Sequence, residues 1–295
     1  MKILSGRSNR NLAKKLADNM GLSYIETYIK PFDDGELKVR ISEDLYGKEI
    51  VILQSTSKPV NDHLMELLLL IDATKRAGAK SIIVIIPYFG YGRQDRRFDN
   101  CEPISASLVA SLLDVANLKH IITVDLHSYQ AEGFFKTAVS NLDPILLFAP
   151  KIESYKNPII IAPDIGGVIR ARKFSKYFNI ELAIINKSRD VDNKCHVHGL
   201  IGDVRGRDCL IIDDIIDSAE TLSKGTDLLI KHGASSVNAF VTHAVLSAET
   251  AQNRLDNSII QNIYITDTID SKKSSVKFHE LSIVKLLANA LEKQF

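Results

Sequence analysis

The residues best suited to chemistry are Asp213, Asp214, Asp217, Ser218 and Thr221, which directly follow the apolar run Cys209-Leu210-Ile211-Ile212. Two carboxylates at the end of a strand can accept hydrogen bonds from the vicinal hydroxyls of a ribose. Ser218, Ala219, Glu220 and Thr221 then open an amphipathic helix. Free backbone N–H groups and the helix dipole favour a phosphate at such a place. Strand, paired acids and cradle together describe a sugar-phosphate site. Two plainer uses stay open: an Asp-rich turn with Ser218 as N-cap, or a DDxxD cation site carried on a helix. The apolar run ahead of the acids argues against the helical version.

Other loops offer complementary groups. Asp164, Ile165, Gly166 and Gly167 lie between a short strand and a helix, where paired glycines let backbone approach a pyrophosphate and Asp164 can help hold Mg²⁺. An ordinary turn fits equally well. His127 with Asp125 suits metal or acid–base work, or a hydrogen-bonded core histidine; Mg²⁺ normally prefers oxygen. Residues 88–97 combine aromatics with Arg93, Gln94, Arg96 and Arg97 and can contact ATP, although the last two read as solvated surface. Phe32, Asp34, Gly35 and Glu36 precede an alternating strand, and Asp-Gly there is first a hairpin turn. Lys187 and Arg189 stand at the root of a polar stretch and suit a lid that brings cations to a reacting phosphate, or a surface loop. His196 and His198 lack a third ligand at suitable spacing. No GxxxxGK[ST] loop occurs, and Gly90-Tyr91-Gly92 lacks the third glycine of a dinucleotide fingerprint.

These loops must be held by strands and helices in alternation. Short β-branched runs at 50–53, 82–86, 121–124, 159–161, 182–185, 210–212 and 237–241 alternate with helical stretches at 9–19, 62–76, 105–116, 168–177 and 219–231. That pattern predicts an α/β fold of mainly parallel sheets flanked by helices, whose ligands bind beyond the carboxyl ends of strands. A length of 295 residues suggests two domains. The pattern occurs twice, and residues 141–158, with three prolines, are the best linker, giving domains 1–143 and 144–295. Thirty-seven basic and 36 acidic residues leave a net charge of +1, which excludes a global field for nucleic acid. Apolar runs are too short for a membrane span, and the first ten residues lack a signal-peptide core. Three scattered cysteines fit a reducing cytoplasm.

Taken together, the motifs resemble the ribose-phosphate diphosphokinases (phosphoribosyl pyrophosphate synthetases). Residues 32–36, 93–95, 125–127, 163–167, 187–189 and 213–221 occur in that family's order, as do 54–57, 86–91 and 133–135, so the resemblance covers nearly the whole chain. It implies two similar domains of phosphoribosyltransferase-like fold. It implies transfer of the diphosphoryl group of MgATP to the 1-hydroxyl of ribose 5-phosphate, giving 5-phosphoribosyl 1-pyrophosphate and AMP for nucleotide biosynthesis. Carried onto this chain, Lys187 and Arg189 are catalytic. Phe32, Asp34, Gly35, Glu36, Arg93 and Gln94 bind ATP, the first four across a subunit boundary in a homo-oligomer, commonly a hexamer. His127 and Asp164 serve Mg²⁺. Arg189, Asp213, Asp214, Asp217, Ser218, Ala219, Glu220 and Thr221 hold ribose 5-phosphate, and Asp164, Ile165, Gly166 and Gly167 face the diphosphate.

Four positions depart from the family pattern. Glu220 stands where glycine is usual, Ser188 replaces an arginine, Asn186 an aspartate, and Cys101 an arginine. An anion about 4 Å from a phosphate costs on the order of 1 kcal/mol in water and ~4 kcal/mol at a semi-buried dielectric. The Glu220 carboxylate is therefore expected to point away from the phosphate while its N–H still donates. The alternatives are a base phosphoribosyltransferase, usually a single domain without the lid, and a non-catalytic regulatory homologue, which would be expected to lose Lys187, Arg189, His127, Asp164 or Asp213.

Overall fold

The computed structural model describes residues 1–97, 99–189, 195–270 and 275–294, apart from the side chains of 187–189, 195–198 and 249. The chain divides into two units: Met1–Asp143 with Asp267–Asp270 and Ser282–Phe295, and Pro144–Thr266 with Ser271–Leu281.

In the first unit the elements run β1 (Lys2–Ser5), α1 (Arg10–Met20), β2 (Ser23–Ile25), β3 (Thr27–Pro31), β4 (Leu37–Ile41), β5 (Glu49–Leu53), α2 (Val60–Arg76), β6 (Ser81–Ile86), α3 (Ser105–Asp114), β7 (His120–Val124) and β8 (Val139–Leu142). Six strands form one sheet in the order β2-β1-β5-β6-β7-β8, every pair parallel. Ile50, Val51, Ile52 and Leu53 are all buried, as continuous apolar strands covered on both faces require. The turn at residues 32–36 joins β3 and β4 as an antiparallel hairpin, with Gly35 at φ 91°, the conformation that favours glycine.

The second unit runs α4 (Ile145–Ile152), β9 (Pro158–Ala162), α5 (Val168–Phe178), β10 (Leu182–Arg189), β11 (Cys195–Ile201), β12 (Asp208–Ile216), α6 (Glu220–Lys231), β13 (Ser236–Ala244), α7 (Glu249–Asp256), β14 (Ile263–Thr266) and β15 (Phe278–Leu281). Its sheet has the order β11-β10-β9-β12-β13-β14-β15, parallel except for β11. The period-2 alternation of strands sorts its core into two layers. Ile159, Ile161, Cys209 and Ile211 pack with Leu222 and Leu229 of α6. Ile160, Ala162, Leu210 and Ile212 pack with Phe148 of α4 and Phe174 of α5.

Two local expectations change. The stretch 141–158 is not simply a linker, because it contains α4. Ile145, Phe148 and Ile152 form an apolar stripe at helical spacing that is buried in the core, and Pro150 is tolerated only two residues before the helix ends. The stretch after Ile185 also differs. β10 continues through Arg189 and pairs with β11, with a bulge at Asn186/Lys187. The segment is therefore the arm of a β-hairpin rather than an irregular loop root. The last helix, α8 (Val284–Glu292), belongs to the first unit, where Leu287 and Leu291 are fully buried.

Candidate active site

In the second unit β9 leads to β10 on one side, and the chain then returns to place β12 on the other. The direction of the strand order reverses there, which opens a crevice at the carboxyl ends of an α/β sheet. The three motifs of this unit occupy neighbouring strand ends. Asp164, Ile165, Gly166 and Gly167 follow β9, Lys187 and Arg189 end β10, and the acidic segment completes β12. The side chains of Lys187 and Arg189 lie outside the described residues.

The β12 strand extends to Ile216, so Asp213 and Asp214 lie within its pleat and only residues 217–219 form the loop. Alternation then separates the two acids. Asp214 continues the Leu210, Ile212 face toward α5, where it is buried against Arg170 at 3.4 Å. Asp213 remains partly exposed, and its Oδ1 accepts the Asp214 N–H at 3.0 Å. Burial, followed by the Asp214 charge, pushes the Asp213 carboxyl well above the usual carboxylate range, while Arg170 pulls it down.

Beyond the strand, Asp217 Oδ1 accepts the Ser247 N–H at 3.1 Å and the Ser247 hydroxyl. Ser218 is exposed, and Ala219 is buried in a left-handed conformation (φ 60°, ψ 3°). Glu220 and Thr221 begin α6. The Glu220 N–H reaches the Ser218 hydroxyl at 3.5 Å, and its carboxylate pairs with Lys224 Nζ at 2.6 Å, one turn along the helix.

At the β9 end, Asp164 Oδ1 accepts the Gly167 N–H at 2.8 Å and so closes the turn ahead of α5. Ile165 and Gly166 are exposed. A Cβ on Gly166 would lie 3.2 Å from Asp164 Oδ1, so glycine keeps this turn closely wound and its backbone accessible.

The first unit presents a second group. Residues 88–97 follow β6, and residues 125–127 follow the adjacent β7. Asp125 is buried at φ 46°, whereas His127 is exposed and therefore no core histidine. The missing Cβ of Gly92 would sit 4.0 Å from the His127 Cβ, so the loop bearing exposed Arg93 and Gln94 lies beside that imidazole. Gln94 is held by the Ser105 hydroxyl and by the Ala106 N–H at 3.2 Å. Phe32, Asp34, Gly35 and Glu36 sit exposed at the tip of the β3–β4 hairpin, where Asp34 Oδ1 accepts the Glu36 N–H at 3.0 Å.

The corresponding reversal of strand order in the first unit, between β1 and β5, is filled by the protein itself. Ser8 Oγ bonds Gln54 Oε1 at 2.7 Å, Gln54 Nε2 bonds Glu66 Oε1 at 3.0 Å, and Arg7 Nε bonds Glu66 Oε2 at 2.6 Å. Any Cβ on Gly6 would lie 2.3 Å from both of those Oε1 atoms. Sequence reasoning missed this network, and it also missed Arg170, Ser247 and Arg254. Arg170 had a signal: it is a lone cation beside Ala171 and Phe174 on the inward stripe of α5. Ser247 and Arg254 had none, because their partners lie about thirty residues away.

Family comparisons agree along the chain. Residues 1–116 match the N-terminal domain of ribose phosphate pyrophosphokinase, and residues 146–279 match the phosphoribosyl transferase domain. A ribose-phosphate pyrophosphokinase from Helicobacter hepaticus is 43% identical, covering 99% of this chain and 95% of its own. One from Thermotoga maritima is 42% identical, covering 99% and 94%. This chain belongs to the ribose-phosphate pyrophosphokinase family. The crystal structure of phosphoribosylpyrophosphate synthetase from Mycobacterium smegmatis superposes with a TM-score of 0.92 at 35% identity, covering 99% of this chain and 97% of that one. The chain is thus an enzyme of the ribose-phosphate pyrophosphokinase family, α/β in class, with two domains of phosphoribosyltransferase-like fold. Among the described residues no helix is long and apolar enough to cross a membrane.

Proposed function

We propose that this enzyme transfers the diphosphoryl group of MgATP to the 1-hydroxyl of ribose 5-phosphate, giving 5-phosphoribosyl 1-pyrophosphate and AMP. The observation that carries this reading is the meeting of a pyrophosphate-suited turn, a cation-bearing strand and an acidic phosphate loop on the adjacent strands β9, β10 and β12. Asp213 takes the ribose hydroxyls, with Asp214 held beneath it by Arg170. Asp217, Ser218, Ala219, Glu220 and Thr221 form the 5-phosphate cradle at the start of α6, where N–H groups and the dipole favour an anion. Ile165, Gly166 and Gly167 offer backbone to the diphosphate. Phe32, Asp34, Gly35, Glu36, Arg93 and Gln94 serve ATP, the hairpin tip doing so for a neighbouring subunit of a homo-oligomer, taken as a hexamer in the cytoplasm.

In the reaction the anomeric oxygen forms a bond to the β-phosphorus and the bond from that phosphorus to the α,β-bridging oxygen breaks. AMP leaves with the electron pair, and the hydroxyl proton passes to solvent. Lys187 and Arg189 neutralise charge on the transferring oxygens, the kind of electrostatic stabilisation on which phosphoryl transfer depends. Mg²⁺ fits the donors present. Such an ion needs only one or two protein carboxylates besides the substrate phosphates. Asp164 would supply a carboxylate to it, and His127 is the imidazole that the family resemblance assigns to the metal. When bound, the ion would neutralise phosphate charge.

Purified protein given MgATP and ribose 5-phosphate should form AMP and 5-phosphoribosyl 1-pyrophosphate together. Absence of sugar-dependent AMP would overturn the proposal. Lys187→Ala should lose most turnover yet retain both substrates; undiminished turnover would remove Lys187 from its role.

A further inference from the structure

The phosphate loop carries a conformation that its own residues do not favour. Ala219 is left-handed, a state that is unfavourable for a non-glycine residue, and such residues persist only where surrounding contacts over-determine them. Two ties to the residues just ahead of it come from the segment joining β13 to α7 and from α7 itself. Ser247 donates its N–H and its hydroxyl to Asp217. Seven residues on, Arg254 Nη1 donates to the carbonyl of Ser218. The two residues immediately ahead of Ala219 are therefore both tied to this segment.

The second tie has a directional consequence. The Ser218 carbonyl and the Ala219 N–H belong to one planar trans peptide, so they point in opposite directions. Fixing the carbonyl on Arg254 aims the Ala219 N–H to the other side of the peptide plane. Guanidinium also leaves a positive charge against a loop whose own side chains, Asp217 and Glu220, are acidic.

We propose that Arg254 is a positioning residue for the 5-phosphate of ribose 5-phosphate, acting by pinning the Ser218–Ala219 peptide so that its N–H faces the bound anion. Ser247 is the companion tie that fixes Asp217. Neither residue belongs to the motifs that define the loop, and both act through other groups. The inference rests on the sugar-phosphate reading of residues 213–221.

The test uses full-length protein, with titration calorimetry of ribose 5-phosphate and steady-state kinetics. Arg254→Ala should raise the Kd and KM for ribose 5-phosphate about tenfold, the worth of a hydrogen bond from a charged donor. The kcat and the KM for ATP should stay within about twofold. Arg254→Lys should recover part of the loss, because ammonium can still donate to the carbonyl. Unchanged ribose 5-phosphate affinity in Arg254→Ala would overturn the proposal, and so would equal increases in both KM values, which a general packing role would give. Should Arg254→Ala not fold, Arg254→Met, which keeps the side-chain stem but has no donor, provides the same reading, and unchanged ribose 5-phosphate affinity in it would equally overturn the proposal. Wild-type protein that bound no ribose 5-phosphate would overturn the reading of the loop itself, a result separate from an unaltered variant.

Discussion

The Arg170 guanidinium lies 3.4 Å from the Asp214 carboxylate, and only 8% and 5% of these side chains are exposed. An ion pair this deep is better understood by what its breakage does than by what its formation gains. Removal of one partner leaves the other charged in the core of the second domain. Arg170→Ala or Asp214→Ala should each cost about 3–5 kcal/mol of stability, whereas an Arg170→Met, Asp214→Leu pair should cost far less. Urea unfolding of the three variants checks this. Single variants as stable as wild type would mean that the pair does not carry two buried charges.

The same pair acts on Asp213. Burial and the Asp214 charge raise the Asp213 pKa in the folded protein. Between the ordinary carboxylate value of about 4 and the raised one, the native state binds more protons than the unfolded state, so stability falls as pH rises through that window. Asp213→Asn removes the effect. In ligand-free protein the variant should be more stable than wild type at pH 8 and equal to it below about pH 4, while losing ribose 5-phosphate affinity by about tenfold or more. Denaturation at the two pH values, with a binding titration, tests both halves; a variant less stable at pH 8 would contradict the assigned burial.

Glu220 is the unusual residue of the phosphate loop, and its carboxylate is engaged by Lys224 at 2.6 Å. A Glu with Lys four residues later is the favourable order on a helix. Both groups remain substantially exposed, so the pair adds only about 0.3–0.5 kcal/mol. Glu220→Gly should therefore change the KM for ribose 5-phosphate by less than about threefold. Lys224→Ala should raise it more, because with the Lys224 charge gone the Glu220 carboxylate opposes the phosphate by about 1 kcal/mol in water. The double variant should return toward wild type. A large gain in affinity from Glu220→Gly alone would show that the carboxylate faces the phosphate.

Cys101 is exposed and Cys209 is fully buried in β12. Burial, followed by the charge of Asp208, pushes the Cys209 thiol up to about 12. Since the thiolate is the reactive form, iodoacetamide at pH 8 should label Cys101 within minutes and reach Cys209 only on unfolding. Peptide mass spectrometry would separate the two, and rapid labelling of Cys209 in native protein would refute the placement.

Much of this fold is written locally. Runs such as Ser-Ile-Ile-Val-Ile-Ile at β6 and Cys-Leu-Ile-Ile within β12, short and rich in β-branched residues, read as strands buried on both faces. The helices between them follow from apolar spacing and from stops such as Gly21, which closes α1 at φ 64°. Among the elements the sequence reading did not name are the short strands β2 and β8, α4, whose prolines hide a buried stripe, and β11, whose pairing with β10 depends on a partner strand rather than on its own residues.

The motifs that could hold a sugar phosphate and a diphosphate were likewise suggested by residue type and spacing, because strand ends and helix starts create their chemistry within a few residues; the nucleotide role of residues 32–36 came only from the family resemblance. Tertiary structure alone decided how those residues divide their work. Strand alternation sent Asp214 inward to Arg170 and left Asp213 toward the crevice. The polar network of Gln54 and Glu66 closed one switch point, while the order of β9, β10 and β12 brought three motifs together at the other. Arg254 met the Ser218 carbonyl across thirty-six residues. Contacts of that length depend on how the sheet is ordered, and no local stretch of sequence contains that information.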